Sequence, residues 1–443
     1  MLINFTVKNW RSIKDEASIT MQATREQQHG ERLTKSNKFG FRILPNAIVF
    51  GPNASGKSNF VKAIEFLKDF VIFWDERFLN RNLTPNKLEI EQGDASSEFT
   101  IEMLLDGFIY EYYICCSSKE VREERLSKSN TSSEYMLFHR INQDFEFNES
   151  QISADDLYRL KVISQGTDRT RPLLNNAHEQ KLDTFDTVYN WFKYSLQIIH
   201  PTSIFSRLSI FTSDEIVNLY NAWLPHLDTG IVRVEIEETT ADKIGLSEEN
   251  ISEISDILFK AAPDKGVSAS LGSKGDFGLV KIQPDGTTEI FRLITIHLNN
   301  NGDEVRFKMS EESDGTKRVL ELIPAFCRDR GVSKTFIIDE IDRSLHSGLT
   351  KSLFQSFHSR CNEDNQDQIV ATSHDLQLMT QSLFRRDEMW FFERDHRSST
   401  LTSFADFIDT KKDKDIRKSY LDGRMGGLPN LRFDQIDLDA CGG

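Results

Sequence analysis

Residues 50–60 read FGPNASGKSNF, directly after the apolar run ILPNAIVF that closes at Phe50. Gly51, Pro52 and Asn53 all disfavour helix. Yet residues 58–74 place Phe60, Ile64, Leu67, Phe70 and Val71 at helical spacing, so a helix is predicted to start just after the loop. A glycine-rich loop between a buried-type strand (47–50) and a helix suits the binding of an anion. Glycines let backbone N–H groups approach it, and the helix start adds a favourable dipole. The spacing Gly51-x4-Gly56-Lys57-Ser58 fits a phosphate cradle. Lys57 then reaches the outer phosphates of a nucleoside triphosphate, and the Ser58 hydroxyl ligates Mg²⁺. Asn53, Gly56, Lys57, Ser58 and Asn59 are the binding residues expected here.

Three later segments supply matching parts. KTFIIDEID (334–342) is a short apolar strand ending in Asp339-Glu340. An acidic residue at the tip of a buried strand suits a Mg²⁺-directed carboxylate. Asp339 is expected to hold the ion, through its water shell or together with Ser58, and Glu340 to orient or deprotonate the attacking water. QIVATSHDL (368–376) is another apolar strand, and His374 at its end can hydrogen-bond the γ-phosphate or the water. ESDGTKRVLELIPAF (312–326) begins with small and hydroxyl residues and passes into a helix carrying Val319, Leu320, Leu322 and Ile323. That second helix start, preceded by Ser313 and Gly315, is a second anion site. Two anion sites for one nucleotide predict a head-to-tail pair, in which the Ser313 loop of one copy closes on the γ-phosphate held by Lys57 of the other. The expected set is thus Glu340 and His374 as catalytic residues, Ser58 and Asp339 as metal ligands, and ATP with Mg²⁺ as cofactors.

The rest of the chain bounds this reading. Its 443 residues suffice for two or more domains. No apolar stretch approaches the roughly 20 residues that cross a bilayer, and MLINFTVKNWRSIKDE lacks the pattern of a signal peptide. Five cysteines (115, 116, 327, 361 and 441) without zinc-type spacing point to a reducing cytoplasm. A net charge of −15 opposes non-specific adhesion to nucleic acid, although RFLNRNLTPNK (77–87) and KKDKDIRKS (411–419) are local basic stretches. Residues 2–8 and 18–22 read as strands, and 99–116 as two strands turning at Asp106-Gly107. Residues 185–199 and 213–224 read as amphipathic helices, the second capped by Ser213, then 230–238 as a strand and 247–261 as a helix capped by Ser247. Strands resume from 277 to 307, and the acidic last dozen residues are expected to fray.

The motif order, with FTVKNWRSIKDE at the start, GPNASGKSN, ESDGTKR, DEIDRSLH and YLDGRMGGLP (420–429), resembles the ABC-type ATPases of the RecF, SMC and OLD branch. More narrowly it is similar to the AAA15-type ATP-binding proteins of bacterial phage-defence operons, of the RloA or AbiL type, with the Septu ATPases as near relatives. The resemblance implies an α/β, ABC-type P-loop ATPase head with a mixed sheet flanked by helices. Ser313, Asp314 and Gly315 become its signature loop, acting across a homodimer or higher homo-oligomer, and His374 its switch histidine. Asp342 and His346, in IDRSLH, are then expected at the dimer interface. The signature is SDGT and not LSGGQ, and Gln165 and Gln180 are both candidates for the Q-loop glutamine. The long gap between Ser58 and Asp339 implies a mainly helical insertion, giving head segments 1–177 and 276–443 around an arm at 178–275. The arm lacks a sustained heptad run. No nuclease-type carboxylate cluster follows Glu340, so any cleavage of nucleic acid is expected in a separate effector. Two functions follow as expectations: a regulatory ATPase gating a nuclease or toxin in antiviral defence, or a RecF-like DNA-binding ATPase in repair.

Overall fold

The computed structural model describes residues 1–36, 38–88, 95–201, 214–261, 267–273, 276–327, 332–395, 398–407 and 416–422. Ser213, most of 411–419, Cys441 and the tail from 423 onward lie outside the described residues. The chain divides into two compact units, one of residues 1–198, 329–342 and 354–443, the other of 199–328 and 343–353.

The first unit contains two sheets. A six-stranded sheet runs in the order Leu196–Ile199, Thr335–Ile338, Gln368–Ser373, Asn46–Phe50, Met389–Arg394 and Ser399–Ser403. Strands 335–338, 368–373, 46–50 and 389–394 are mutually parallel, and 399–403 is antiparallel to its neighbour. Their near-continuous apolar composition matches their burial, since Asn46–Phe50, Thr335–Ile338 and Gln368–Ser373 are buried at every position. The seven-stranded sheet is antiparallel where its registers are defined. It runs Asp144–Phe147, Glu134–Ile141, Val121–Ser129, Phe108–Cys116, Ser97–Leu105, Leu2–Lys8 and Ala17–Thr20. Its strands alternate buried and partly buried residues, as a sheet with one more deeply covered face should. Asp106 and Gly107 take positive φ (51° and 76°) at the expected hairpin turn.

Helix Lys57–Ile72 joins both sheets in one core. Phe60 meets Phe5 of one sheet edge to face at 5.3 Å and Phe392 of the other at 5.7 Å, and Phe66 stacks on Phe99 at 4.9 Å. A fully buried pair fixes the helices after the hairpins: the Glu124 carboxylate accepts the first N–H groups of helix Leu173–Glu179, from Leu173 at 2.7 Å and Leu174 at 3.2 Å. Arg140, 3.6 Å from Glu124, donates to the carbonyls of Asn142 and Arg171 at 2.6 Å each. The carboxylate thus satisfies helix N–H groups that have no partner within the helix.

The second unit carries its own sheet, in the order Arg233–Glu238, Thr288–Leu298, Asp276–Ile282 and Val267–Ser273, with Glu304–Lys308 also pairing Thr288–Leu298. Helices Asp214–Trp223, Glu248–Ala261 and Asp314–Phe326 belong to it. Ser247 Oγ accepts the Asn250 N–H at 3.1 Å, the expected cap. Two features differ from expectation. The second compact unit, of residues 199–328 and 343–353, does not share its bounds with the expected arm at 178–275, and it contains a sheet as well as helices. The 185–199 helix also stops early: it widens to a π-turn over Trp191–Ser195, and Leu196–Ile199, with two β-branched isoleucines, joins the six-stranded sheet as its edge.

Glu388 leads into the strand beside Asn46–Phe50. Its Oε2 accepts the Arg385 N–H at 2.8 Å, Oε1 is buried without a hydrogen-bond partner, and burial pushes its carboxyl up to about 8. A carboxyl whose pKa is higher folded than unfolded favours the folded state fully below the unfolded value, near 4.5, and loses that contribution as pH rises through about 8. Glu388→Gln removes the penalty, so its stability advantage over the wild type should grow by up to about 1.4 kcal/mol per pH unit between those limits. Urea unfolding at pH 5, 7 and 9 checks this; a constant difference would contradict it.

Candidate nucleotide site

Parallel strands place all their carboxyl ends on one side, and three adjacent ones here end in the motif residues. Phe50 leads into the glycine loop, Ile338 into Asp339-Glu340, and Ser373 into His374. Open α/β sheets bind ligands at that edge. Two glycines are sterically required. Gly51 (φ +154°) lies so close to Phe392 that a Cβ would sit 2.5 Å from its carbonyl oxygen, and a Cβ on Gly56 (φ +121°) would meet the Ser399 side chain at 2.7 Å. Ala54 in the loop also has positive φ, at 62°, and the Arg394 guanidinium donates to its carbonyl at 3.3 Å.

Lys57 opens the helix and is 4% exposed. Its ammonium donates to the carbonyls of Gly51 at 2.7 Å and Pro52 at 2.9 Å, and lies 3.4 Å from His374 Nδ1. Burial lowers its pKa to about 8, against the raising fields of Asp339, Glu340 and Asp342. Burial, and next the Lys57 charge, lower the His374 pKa, so the imidazole is neutral at pH 7. His374 Nε2 is 3.9 Å from Glu340 Oε1. Lys57, His374 and Glu340 are therefore brought together, with Ser58 beside Lys57 on the same helix start.

Thr372 organises the acidic pair, which sequence reasoning did not assign. The register sets Ile338 against Ala371, so Asp339 falls opposite Thr372. Thr372 Oγ1 donates to Asp339 Oδ1 at 2.6 Å and accepts the Glu340 N–H at 2.8 Å. Glu340 takes φ +47°, a left-handed conformation rare for a side chain of its size. The signal was present in the hydroxyl two residues before His374, but it acquires meaning only once the strand order is known.

Other expected residues are placed as follows. Asn53 is exposed in the loop. Asn59 Nδ2 donates to Ser12 Oγ at 2.8 Å, and Ser12 Oγ meets Ser399 Oγ at 2.9 Å, so this amide ties the helix start to the N-terminal loop. Both Asp342 oxygens accept the His374 N–H at 3.2 Å, which positions the histidine. His346 is exposed, and its Nδ1 accepts the Gly348 N–H at 3.0 Å. Gln165 ends the helix Ala154–Gln165 and Gln180 follows Leu173–Glu179 as its cap. In the second unit, Ser313 caps helix Asp314–Phe326 by accepting the Thr316 N–H at 3.0 Å, and Ser313 and Asp314 are exposed. Gly315 packs on the Ser344 carbonyl, where a Cβ would come within 2.7 Å.

The donor set fits Mg²⁺ and a triphosphate. Ser58 and Asp339 offer hard oxygens, and no cluster of three His, Cys, Asp or Glu side chains among the described residues could cage a metal ion alone. Mg²⁺ typically takes one or two protein oxygens and completes its shell with water and phosphate.

The family described as "AAA domain, putative AbiEii toxin, Type IV TA system" matches residues 47–380, from the strand before the glycine loop to just beyond His374, and the chain belongs to that family. No curated protein matches the chain. Among solved structures, the SMC head domain from Thermotoga maritima is similar at 15% identity and a TM-score of 0.32, covering 91% of this chain and 98% of that one. An SmcHead bound to the C-winged helix domain of ScpA is similar at 13% identity and a TM-score of 0.38, covering 91% of this chain and 97% of that one. No described helix is long and apolar enough to cross a membrane.

Thr372→Val removes the hydroxyl that joins Asp339 to the Glu340 backbone. Nucleotide hydrolysis should fall roughly 10- to 100-fold, the worth of a lost hydrogen bond to a charged group, while nucleotide affinity stays within about threefold. Steady-state turnover and isothermal titration check the two halves.

Proposed function

We propose that the chain is a Mg²⁺-dependent ATPase that dimerises around ATP and uses the dimer to gate a separate effector, such as a nuclease or toxin, in an antiviral defence system of the abortive-infection type. The convergence of Lys57, His374 and Glu340 at the end of three adjacent parallel strands carries the reading. In it, Lys57 leaves the carbonyls of Gly51 and Pro52 to neutralise the β- and γ-phosphates, aided by the helix N-terminus. Ser58 and Asp339 would hold Mg²⁺, which would supply charge neutralisation to the phosphates. Glu340 takes a proton from the water that attacks the γ-phosphorus, the bond to the bridging oxygen breaks, and ADP leaves with that oxygen. Neutral His374 donates a hydrogen bond toward the γ-phosphate, held in place by Asp342. The exposed Ser313 helix start of a second copy completes the site.

The defence role draws support from the family description, with its AbiEii toxin and type IV toxin–antitoxin terms. A DNA-clamping, RecF-like role is weakened by charge. Arg233, Arg292 and Arg306 on the second unit's sheet are committed to Glu235, Glu237 and Glu304, and Arg81 in the 77–87 stretch pairs with Asp75. The net charge of −15 acts in the same direction.

Glu340→Gln should lower turnover by about 10²–10⁴-fold, the range of a lost general base, while trapping an ATP-bound dimer in size-exclusion chromatography with light scattering. Wild-type turnover would remove Glu340 from its role. Lys57→Ala and Ser313→Ala should each be inactive alone, and mixing them should restore about one working site per pair. No recovery on mixing would exclude the trans arrangement.

A further inference from the structure

The seven-stranded sheet, among the described residues, ends in an unpaired edge at Asp144–Phe147. Among the described residues, Asp144–Phe147 pairs only with Glu134–Ile141, across the two-residue turn Asn142-Gln143, with Asn142 at φ +55°. Asp144 faces Ile141 at the turn, Glu146 faces His139, and the Asn148 N–H donates to the Leu137 carbonyl at 3.0 Å. Even-numbered residues therefore bond inward, and the N–H and C=O groups of Phe145 and Phe147 point away from the sheet. Edge strands can accept a further strand, and natural ones are commonly blunted by shortness, charged side chains, Pro or a bulge; this one is short and carries Asp144 and Glu146, so it is open only to a strand whose charges complement them. The segment Asp-Phe-Glu-Phe contains no Lys or Pro.

A cavity of about 630 Å³, open to solvent, lies between this strand and the last turns of helix Ala154–Gln165, with Asp144, Phe145, Glu146, Phe147, Lys161 and Gln165 among its walls. The two faces of the edge differ in chemistry. Phe145 and Phe147 stack nearly parallel (6.3 Å, 9°) on the face shared with buried Phe138 and Arg140. Asp144 and Glu146 are exposed on the other face and have no ion-pair partner among the described residues. Lys161 is already paired with Glu149 at 3.0 Å. The edge therefore presents an aromatic side and an uncompensated acidic side, in strand alternation.

We propose that this edge docks an extended segment of a partner protein, whose alternate residues are apolar and basic. The segment adds as an eighth strand through the backbone groups of Phe145 and Phe147, a known mode of peptide capture. Its apolar side chains lie against the two phenylalanines, and its Lys or Arg side chains lie against Asp144 and Glu146, which also line the cavity. A second copy of this chain is disfavoured, because antiparallel self-pairing of the edge brings these carboxylates together across the two-fold axis. The same carboxylates repel nucleic acid. The proposal does not rest on the ATPase reading.

The test uses the full chain and fluorescein-labelled peptides of eight residues, read by anisotropy: one alternating Val with Lys or Arg, one alternating Val with Glu, and one of the first composition in block order. The alternating basic peptide should bind best. Phe147→Pro, which removes an outward N–H, should weaken it at least about tenfold. Asp144→Lys combined with Glu146→Lys, at exposed side chains that leave folding intact, should weaken it likewise and shift preference to the Val–Glu peptide. Equal binding of the block-order peptide, unchanged affinity in the charge-reversed variant, or no binding of the alternating basic peptide at about 1 mM (a standard-state binding energy near −4 kcal/mol) would each overturn the proposal.

Discussion

The backbone hydrogen bonds between strands Thr335–Ile338, Gln368–Ser373 and Asn46–Phe50 are what the candidate site depends on. Parallel pairing gives three segments from distant parts of the sequence the same direction, so all three deliver their C-terminal residues to one edge. The register does the fine placement. With Ile338 against Ala371, Asp339 meets Thr372, and with Ser373 against Phe50, His374 emerges next to the glycine loop. A slip of one residue in the central strand would send Thr372 to the opposite face and leave the acidic pair without its hydroxyl.

Around that frame, positioning is done by groups that need not touch a nucleotide. Thr372 holds both Asp339 and the Glu340 backbone, Asp342 holds His374 through its N–H, and Asn59, Ser12 and Ser399 tie the helix start to neighbouring loops. Close backbone approach explains both glycines of the loop, at Phe392 and at Ser399. The Lys57 ammonium donates to two loop carbonyls, and its burial lowers its pKa to about 8. An anion supplied at that point relieves the cost of that burial.

Much of this was legible in the sequence because the motifs carry their own context. Gly51-x4-Gly56-Lys57-Ser58 sits between a recognisable strand and a helix, and the apolar runs before Asp339 and His374 mark buried strands. Pairings were not legible. Nothing in the local sequence says that Thr372 lies beside Asp339, or that Asp342 turns toward His374, since both facts follow from which strands are neighbours. The strands Val121–Ser129, Glu134–Ile141 and Asp144–Phe147 escaped notice because their charged residues dilute the alternation, as in VREERLSKS. Leu196–Ile199 was read as helix because the amphipathic pattern before it runs on without a glycine or proline to stop it.

On the proposed reading, one triphosphate is gripped at the carboxyl edge of the parallel strands and closed from a second copy. A cryo-EM map of the protein with ATP and Mg²⁺ tests it most directly. The account predicts a γ-phosphate within hydrogen-bonding distance of Lys57 and His374 of one copy and of the Ser313 helix start of another. Nucleotide density away from Lys57, or a γ-phosphate at Lys57 with no second copy's Ser313 beside it, would contradict it.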